Sequence, residues 1–213
     1  MKKPVVDYRE FRLSKLNDPR FSHLKLLGGW IFYFVFYFLT ENLIPFHEAF
    51  VIPYCFWYFL VGGSLLYFAL YDVDSFKKLQ VFIIITQVVA MAAYILYPSR
   101  QELRPEVFPR QNVLSALMGF IYAFDTPTGI CPSLHVAYSL GIASVFCHIR
   151  EESRAWKGFM VFSAVAISLS TAFVKQHSVV DIFAALPVCL LAEYLVFGRT
   201  KLNRWIDNGD SGV

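Results

Sequence analysis

The sequence predicts an all-α, polytopic membrane protein, because it is rich in apolar residues, poor in charged residues and long enough for several spans. Of its 213 residues, 57% are hydrophobic, 18% aromatic and 16% charged. A soluble globular chain is about 45–50% apolar and about 25% charged, so a soluble particle of this size would lack polar groups to cover its surface. The same composition excludes a disordered chain, a coiled coil and a secreted disulfide scaffold.

Six segments are predicted to span the membrane, since about 20 apolar residues cross the hydrocarbon core. They run near Leu26–Pro45, Val51–Tyr71, Leu79–Tyr97, Leu134–Ile149, Gly158–Val174 and Val179–Phe197. A seventh stretch, Val113–Phe124, is too short to cross and is predicted as an interfacial or re-entrant helix between the third and fourth spans. The membrane domain is therefore expected over residues 26–198.

The two ends of the chain are expected outside the membrane. Residues 1–25 carry scattered basic side chains but neither the apolar core nor the cleavage site of a signal peptide. Their apolar residues alternate with charges, which fits a surface helix and a solvated tail equally well. Residues 199–213 are expected to form a cytoplasmic tail with a solvated end.

Positive charge predicts the orientation of the spans. With a cytoplasmic N-terminus, 15 of the 19 Lys and Arg residues lie on the cytoplasmic side, as the positive-inside rule requires. Both termini are then cytoplasmic, the loop Pro98–Ser133 faces outward, and the expected location is the cell membrane. The remaining four basic residues are Arg100, Arg104, Arg110 and Lys175. The net charge of +3 is too small to predict a nucleic-acid partner.

The four cysteines are expected to be buried thiols. They are Cys55, Cys131, Cys147 and Cys189, without a CxxC or zinc-type spacing, and most lie in apolar runs. A disulfide between Cys55 and Cys131, which could share a membrane side, is the disfavoured alternative.

The junction of the predicted fifth and sixth spans, on the outer side, places a histidine and a carboxylate four residues apart. If the sixth span begins near His177, Asp181 follows at i+4 on the same helix face. A carboxylate there can bind one imidazole nitrogen and leave the other lone pair free, as in an activated nucleophile. Because an ionisable residue in a span is costly, Asp181 is predicted to be functional. The alternative is a structural His–Asp pair, whose two side chains only satisfy each other's hydrogen-bonding groups within the bundle.

The start of the fourth span carries a second histidine. Ser133 follows a proline and precedes an apolar run, which predicts a helix N-cap with His135 in the first turn. Free backbone N–H groups and the positive end of the helix dipole favour an anion there. The sixth span begins on the same side, so two helix N-termini, two histidines, a carboxylate and several cations converge. This combination suits a phosphoryl group.

These residues resemble the motifs of the type 2 phosphatidic acid phosphatase superfamily, which comprises membrane lipid phosphatases and lipid phosphotransferases. The family pattern is Lys, six residues and Arg-Pro; then Pro-Ser-Gly-His; then Ser-Arg, five residues, His, three residues and Asp. The matching residues are Arg104-Pro105, Pro132-Ser133-Leu134-His135, and Ser170, His177 and Asp181. Six spans with an outward site are also similar to that family, and the resemblance covers about Leu26 to Phe197.

Three residues depart from the family pattern. Tyr97, Leu134 and Thr171 stand where the family has Lys, Gly and Arg. Two cationic phosphate ligands are therefore missing from their usual places. We expect Lys175, helped by Arg104 and Arg100, to supply the lost positive charge.

The departures favour one branch of the superfamily. The branch similar to inositol phosphorylceramide and sphingomyelin synthases tolerates such losses and often has Gln or His before the nucleophile. Gln176 and the run Asp125-Thr126-Pro127 resemble that branch.

The resemblance implies a two-step displacement without a metal or other cofactor. His177 would attack phosphorus and form a phosphohistidine, Asp181 would hold the imidazole, and His135 would act as general acid and then as general base. Residues implied in binding the lipid phosphate are Arg104, Lys175, Ser133, Gln176, Ser170, Thr171, Tyr97 and Asp125.

The acceptor of the phosphoryl group separates the alternatives. With water, the protein is a lipid phosphatase acting on a phosphate monoester or diphosphate, which the small size and short loops favour. With an alcohol, it is a lipid phosphotransferase, which the motif departures favour. A non-catalytic transporter or scaffold is the third alternative, although the sequence lacks the inverted repeats and paired broken helices typical of transporters. The oligomeric state stays open.

Overall fold

The computed structural model describes residues 43–208, together with residues 24, 25 and 31. Nearly all of the predicted first span, Leu26–Pro45, lies outside these described residues, as do the N-terminal segment to residue 23 and residues 209–213. Within the described part the fold is helical, and its one β feature is an isolated bridge between Arg100 and Thr128. The all-α prediction is confirmed there.

Seven α-helices follow a 3-10 turn at Glu48–Phe50 in the described chain. They are α1 (Val51–Tyr71), α2 (Val73–Leu96), α3 (Val113–Phe124), α4 (Leu134–His148), α5 (Arg154–Phe173), α6 (Val179–Phe197) and α7 (Lys201–Asn208). The predicted bounds of α1, α3 and α6 agree with the structure. Helices α2 and α5 begin earlier than predicted because Asp72 and Ser153 cap them, accepting the N–H groups of Ser75 and Trp156.

Among the residues that the structure describes, four helices are long and apolar enough to cross a membrane. They are α1 with its preceding 3-10 turn (Glu48–Tyr71), α2, α5 and α6. Helix α4 forms where a span was predicted, but it has 15 residues and is about 22 Å long against a hydrocarbon core of about 30 Å. Helix α3 has 12 residues.

Helix α4 is the centre of the bundle, packed against α1, α2, α5 and α6. Its buried residues lie all round the helix and include Ile142, Val145 and Phe146, as expected for a helix without a solvent face. At Gly141 an added Cβ would lie 2.6 Å from the ring of Phe82 on α2. Glycine therefore permits the close approach of α2 and α4.

The bundle has two chemically different ends. At one end of the bundle, which we call the site end, α2 and α5 finish and α4 and α6 begin. At the other end, which we call the opposite end, α2 and α5 begin. The opposite end includes α7, which was not predicted from the sequence. Helix α7 packs by its buried Ile206, and Asp207 forms an ion pair with Lys78 of α2 at 3.0 Å.

Candidate active site

The structure brings His135 and His177 together at the site end. Their ring centroids are 5.5 Å apart and their planes are inclined at 64°. His135 lies in the first turn of α4 and His177 in the turn before α6. Both line a cavity of about 130 Å³, whose other walls come from Tyr94, Asp125, Thr126, Thr128, Gly129, Ile130, Leu134 and Gln176.

His177 and Asp181 meet across the start of α6 rather than along its face, because the helix begins at Val179. Ser178 caps the helix: its N–H donates to Asp181 Oδ2 at 2.8 Å, and its Oγ accepts the Asp181 N–H at 3.2 Å. The same Oδ2 lies 3.6 Å from His177 Nδ1. The reciprocal cap therefore holds the carboxylate beside the imidazole. The Ser-x-x-Asp spacing was a visible sequence signal for this cap.

The starts of α4 and α6 are joined directly. The Ser133 N–H donates to the Asp181 carbonyl at 3.2 Å, and Ser133 Oγ accepts the Val136 N–H at 3.5 Å as the cap of α4. Tyr94 of α2 fixes the preceding residue by donating its hydroxyl to the Pro132 carbonyl at 2.7 Å. Two helix N-termini, each with the positive end of its dipole, therefore converge beside the cavity.

His135 rests on aromatic rings from α1. Its ring centroid lies 4.8 Å from that of Tyr54 and 4.4 Å from that of Trp57. Its Nε2 is buried without a hydrogen-bond partner, as is His177 Nδ1. Neither aromatic neighbour was predicted as part of the site, although their i, i+3 spacing on α1 places them on one face.

The turn that carries His177 is held by its own backbone. The N–H groups of Gln176 and His177 both donate to the Thr171 carbonyl, at 2.9 and 3.1 Å. Lys175, immediately before Gln176, adopts a left-handed conformation with φ of 54°, which is uncommon for a residue with a side chain. The turn is therefore tightly constrained in the fold.

Side chains from the preceding loop and α3 support the same turn. Gln101 Nε2 donates to the carbonyls of Lys175 and Gln176, and the Tyr122 hydroxyl donates to the Val174 carbonyl at 2.6 Å. Both residues are positioning residues that were not predicted. Gln101 is next to the noted Arg100, but nothing in its spacing indicated this role.

Arg104 reaches the cavity through Gln176. Its Nη2 donates to Gln176 Oε1 at 2.6 Å, and its Nη1 donates to the carbonyls of Tyr122 and Asp125 at 3.2 and 2.7 Å. The guanidinium also lies over the Tyr122 ring, 4.5 Å from the centroid. Arg104 Nε and Gln176 Nε2 are buried donors without partners. The site therefore retains hydrogen-bonding capacity for a ligand that accepts.

Asp125 also faces the cavity. Its Oδ2 accepts the Tyr54 hydroxyl at 3.5 Å, and its own backbone carbonyl binds Arg104. Asp125 thus contacts both α1, which carries the aromatic neighbours of His135, and the Arg104 guanidinium.

Of the eight predicted binding residues, Gln176 and Asp125 line the cavity, whereas the other six do not: Arg104, Ser133, Tyr97, Ser170, Thr171 and Lys175. Tyr97 is 79% exposed at the end of α2. The hydroxyls of Ser170 and Thr171 donate to carbonyls of their own helix at 2.6 and 2.8 Å. Lys175 is buried in the turn beside His177, and the cavity wall does not include it. Arg100, which was expected to help Lys175 supply positive charge, is exposed, and its Nε lies 3.9 Å from Glu102 Oε1.

In the structure all four cysteines are free thiols. The prediction of buried thiols is confirmed for Cys189, whereas Cys55 and Cys131 are partly buried, and it is wrong for Cys147, which is exposed. Burial, reinforced by the neighbouring Asp181 carboxylate, raises the pKa of Cys131 to about 12. Cys131 therefore remains a neutral thiol beside Asp181 at physiological pH.

The site is rich in nitrogen donors rather than in metal ligands. Within the described residues, no group of three or more His, Cys, Asp and Glu side chains is arranged to hold a metal ion. Comparisons with protein-family models, curated proteins and solved structures found no match to the chain.

Proposed function

We propose that the protein is a membrane lipid phosphatase that hydrolyses a lipid phosphate through a phosphohistidine intermediate. The observation that carries the proposal is the pair His135 and His177, whose ring centroids lie 5.5 Å apart, with the Asp181 carboxylate 3.6 Å from His177 Nδ1. The motif resemblance to the type 2 phosphatidic acid phosphatases supports the same chemistry. The four apolar helices support a substrate that resides in a membrane.

In the first step, the His177 imidazole attacks phosphorus while the bond to the lipid oxygen breaks. Asp181 faces Nδ1, so the attacking nitrogen is Nε2, and the carboxylate stabilises the positive charge that develops on the ring. His135 donates a proton to the departing lipid oxygen as general acid. The 3.6 Å separation exceeds an ordinary hydrogen bond, and such contacts tighten in substrate complexes.

In the second step, water attacks the phosphohistidine. His135, now unprotonated, accepts a proton from that water as phosphorus separates from His177 Nε2, and inorganic phosphate is released. The His135 imidazole thus donates a proton in the first step and accepts one in the second, so the starting enzyme is restored without an external base.

Phosphate oxygens are bound by donors that surround the cavity. Gln176 Nε2 and Arg104 Nε are buried donors without protein partners, and the N-termini of α4 and α6 add partial positive charge. Lys175 is buried in the turn before His177 but does not line the cavity. Stabilisation of developing charge by placed donors is the principal contribution in phosphoryl transfer.

The proposal includes six spans and an outward-facing site. Helix α4 would be the fourth span, with its start recessed below the membrane surface, because its 15 residues alone are too short. Helix α3 would lie at the interface or re-enter. The distribution of basic residues in the sequence supports cytoplasmic termini.

A lipid phosphotransferase is the second candidate, favoured by the position of Asp125. Its carboxylate lies in the cavity wall with His135, where it could orient an acceptor alcohol in place of water. In that case His135 would remove the proton from the alcohol rather than from water.

The test is to incubate purified protein with a panel of lipid monophosphates and diphosphates, with EDTA and with or without alcohol acceptors. We expect free phosphate to be released in the presence of EDTA. We also expect radiolabelled substrate to leave labelled phosphate on the protein, and this phosphohistidine should be lost in acid but retained in alkali. New phospholipid without free phosphate would identify the transferase. No turnover of any substrate, with no labelled protein, would contradict both.

A further inference from the structure

A second, larger and more apolar recess opens beside the histidine cavity. It lies between α1 and α3 and has a volume of about 630 Å³. Its walls include Trp57 and Tyr58 of α1 and Leu117, Phe120 and Phe124 of α3. Several of these side chains are exposed, Phe120 by 62% and Phe124 by 74%. We call this recess the α1–α3 groove.

The α1–α3 groove adjoins the histidine cavity. Asp125 and His135 line both spaces. His135 therefore has its ring at the junction of a small polar cavity and a large apolar groove. The polar cavity, at about 130 Å³, has room for a phosphoryl group but not for a lipid.

A second apolar groove provides the comparison. It lies between α1 and α5, has a similar volume of about 530 Å³, and is lined by Phe59, Tyr67 and Trp156 among others. Its polar members are Ser64, Glu152 and Ser153, and it shares no residue with the histidine cavity. Size does not distinguish the two grooves, whereas the residues that the α1–α3 groove shares with the histidine cavity do.

We propose that the α1–α3 groove binds the hydrocarbon chain of the lipid phosphate whose head group occupies the histidine cavity. The inference rests on the proposed function and names the part of the fold that selects its substrate. The chain would lie along α3 against Trp57 and Tyr58, with the scissile oxygen at the junction beside His135. Binding of the chain would then place phosphorus between the two imidazoles.

The kinetic test uses a series of soluble alkyl phosphates, from ethyl to octyl, kept as monomers. The wild-type kcat/KM should rise with chain length, because each methylene leaves water for the groove. Leu117→Trp, which narrows the groove, should raise KM for octyl phosphate about tenfold and raise KM for ethyl phosphate far less. Leu190→Trp, on the exposed face of α6, is the matched control and should change neither.

A binding test does not depend on turnover. A long-chain alkyl phosphonate with a diazirine in its chain should cross-link to residues 113–124, and excess unlabelled phosphonate should suppress the label whereas a neutral lipid of equal chain length should not. Labelling centred on Trp156 and Phe159, or equal effects of Leu117→Trp on both chain lengths, would overturn the inference. Specific labelling of α3 without any turnover would keep the inference and contradict the phosphatase proposal.

Discussion

Each end of the bundle contains a histidine beside a carboxylate, and the two pairs are nearly identical in distance. At the site end, His177 Nδ1 lies 3.6 Å from Asp181; at the opposite end, His148 Nε2 lies 3.6 Å from Glu193. The side chains of the first pair are only 9% and 6% exposed, whereas those of the second are 48% and 34% exposed. Distance therefore does not separate them, but burial does.

The hydrogen bonds around the two pairs differ as well. At the opposite end, His148 Nδ1 contacts the Ser144 carbonyl at 3.0 Å, and Ser144 donates its hydroxyl to Glu193. The His148 ring also stacks on Phe197 at 3.8 Å. At the site end, the buried Nδ1 of His177 has no such partner. Because an unpaired buried polar group costs free energy, the His177–Asp181 contact is expected to shorten to a hydrogen bond when substrate binds.

The largest expected effect comes from removing the histidine of each pair in turn. His177→Ala should lower lipid phosphate hydrolysis by at least about 10⁴-fold, because the nucleophile is lost. His148→Ala should retain activity close to wild type. The measurement is phosphate release, together with formation of the acid-labile phosphoprotein. Equal losses in both variants would mean that the two pairs do not differ in function.

The second prediction concerns His135, which the site end contains besides the His177–Asp181 pair. His135→Ala should lower hydrolysis by about 10²–10⁴-fold, the usual contribution of a general acid–base. The loss in the rate of phosphoenzyme formation should shrink for an aryl phosphate, whose leaving group needs no proton, whereas the second step still needs His135 as base. That dependence on the leaving group distinguishes a general acid from a residue that only maintains the fold. Undiminished loss with the aryl ester would contradict the role.

Most of the helical framework could be predicted from the sequence, because apolar runs report spans without tertiary information. The starts of α4 and α6 were also predictable, since Ser133 and Ser178 carry cap signals. Tyr54, Gln101 and Tyr122 were not, because their roles depend on contacts across the fold. Conversely, Tyr97 was included by its position in a motif, and the structure places it at the surface. Motif spacing locates residues along the chain, whereas burial and hydrogen bonding decide which of them face the cavity.

A third prediction compares basic residues at the two ends. Arg104→Ala should reduce kcat/KM by about 10–100-fold, since the guanidinium orients Gln176 and adds positive charge beside the cavity. Lys78→Ala, which removes the exposed ion pair with Asp207, should leave activity unchanged. Arg104→Lys should restore only part of the activity, because an ammonium cannot reproduce the three contacts. Full activity in Arg104→Ala would exclude the residue from the site.

A fourth prediction compares two helix caps. Ser178→Ala at α6 and Ser153→Ala at α5 should each lower the free energy of unfolding by about 1 kcal/mol. Only Ser178→Ala should also lower activity, by several-fold, because Ser178 holds the carboxylate that faces His177. Thermal unfolding in detergent measures the first effect and phosphate release the second. If Ser153→Ala lowers activity equally, the loss reflects stability alone.

The smallest expected effect is a difference in thiol reactivity between the ends. Cys131 has a pKa raised from about 9 to about 12, so its thiol stays protonated in the folded protein while an unfolded chain would begin to ionise near pH 8.5. Folding is therefore favoured by this thiol below about pH 8.5, and the contribution is lost as the pH rises toward 12. Iodoacetamide at pH 8 should modify the exposed Cys147 many times faster than Cys131, as mapped by mass spectrometry. Because the Asp181 carboxylate contributes to the raised pKa, Asp181→Asn should speed alkylation of Cys131 and leave Cys147 unchanged. An unchanged rate at Cys131 would show that the carboxylate does not act on the thiol beside the histidine pair.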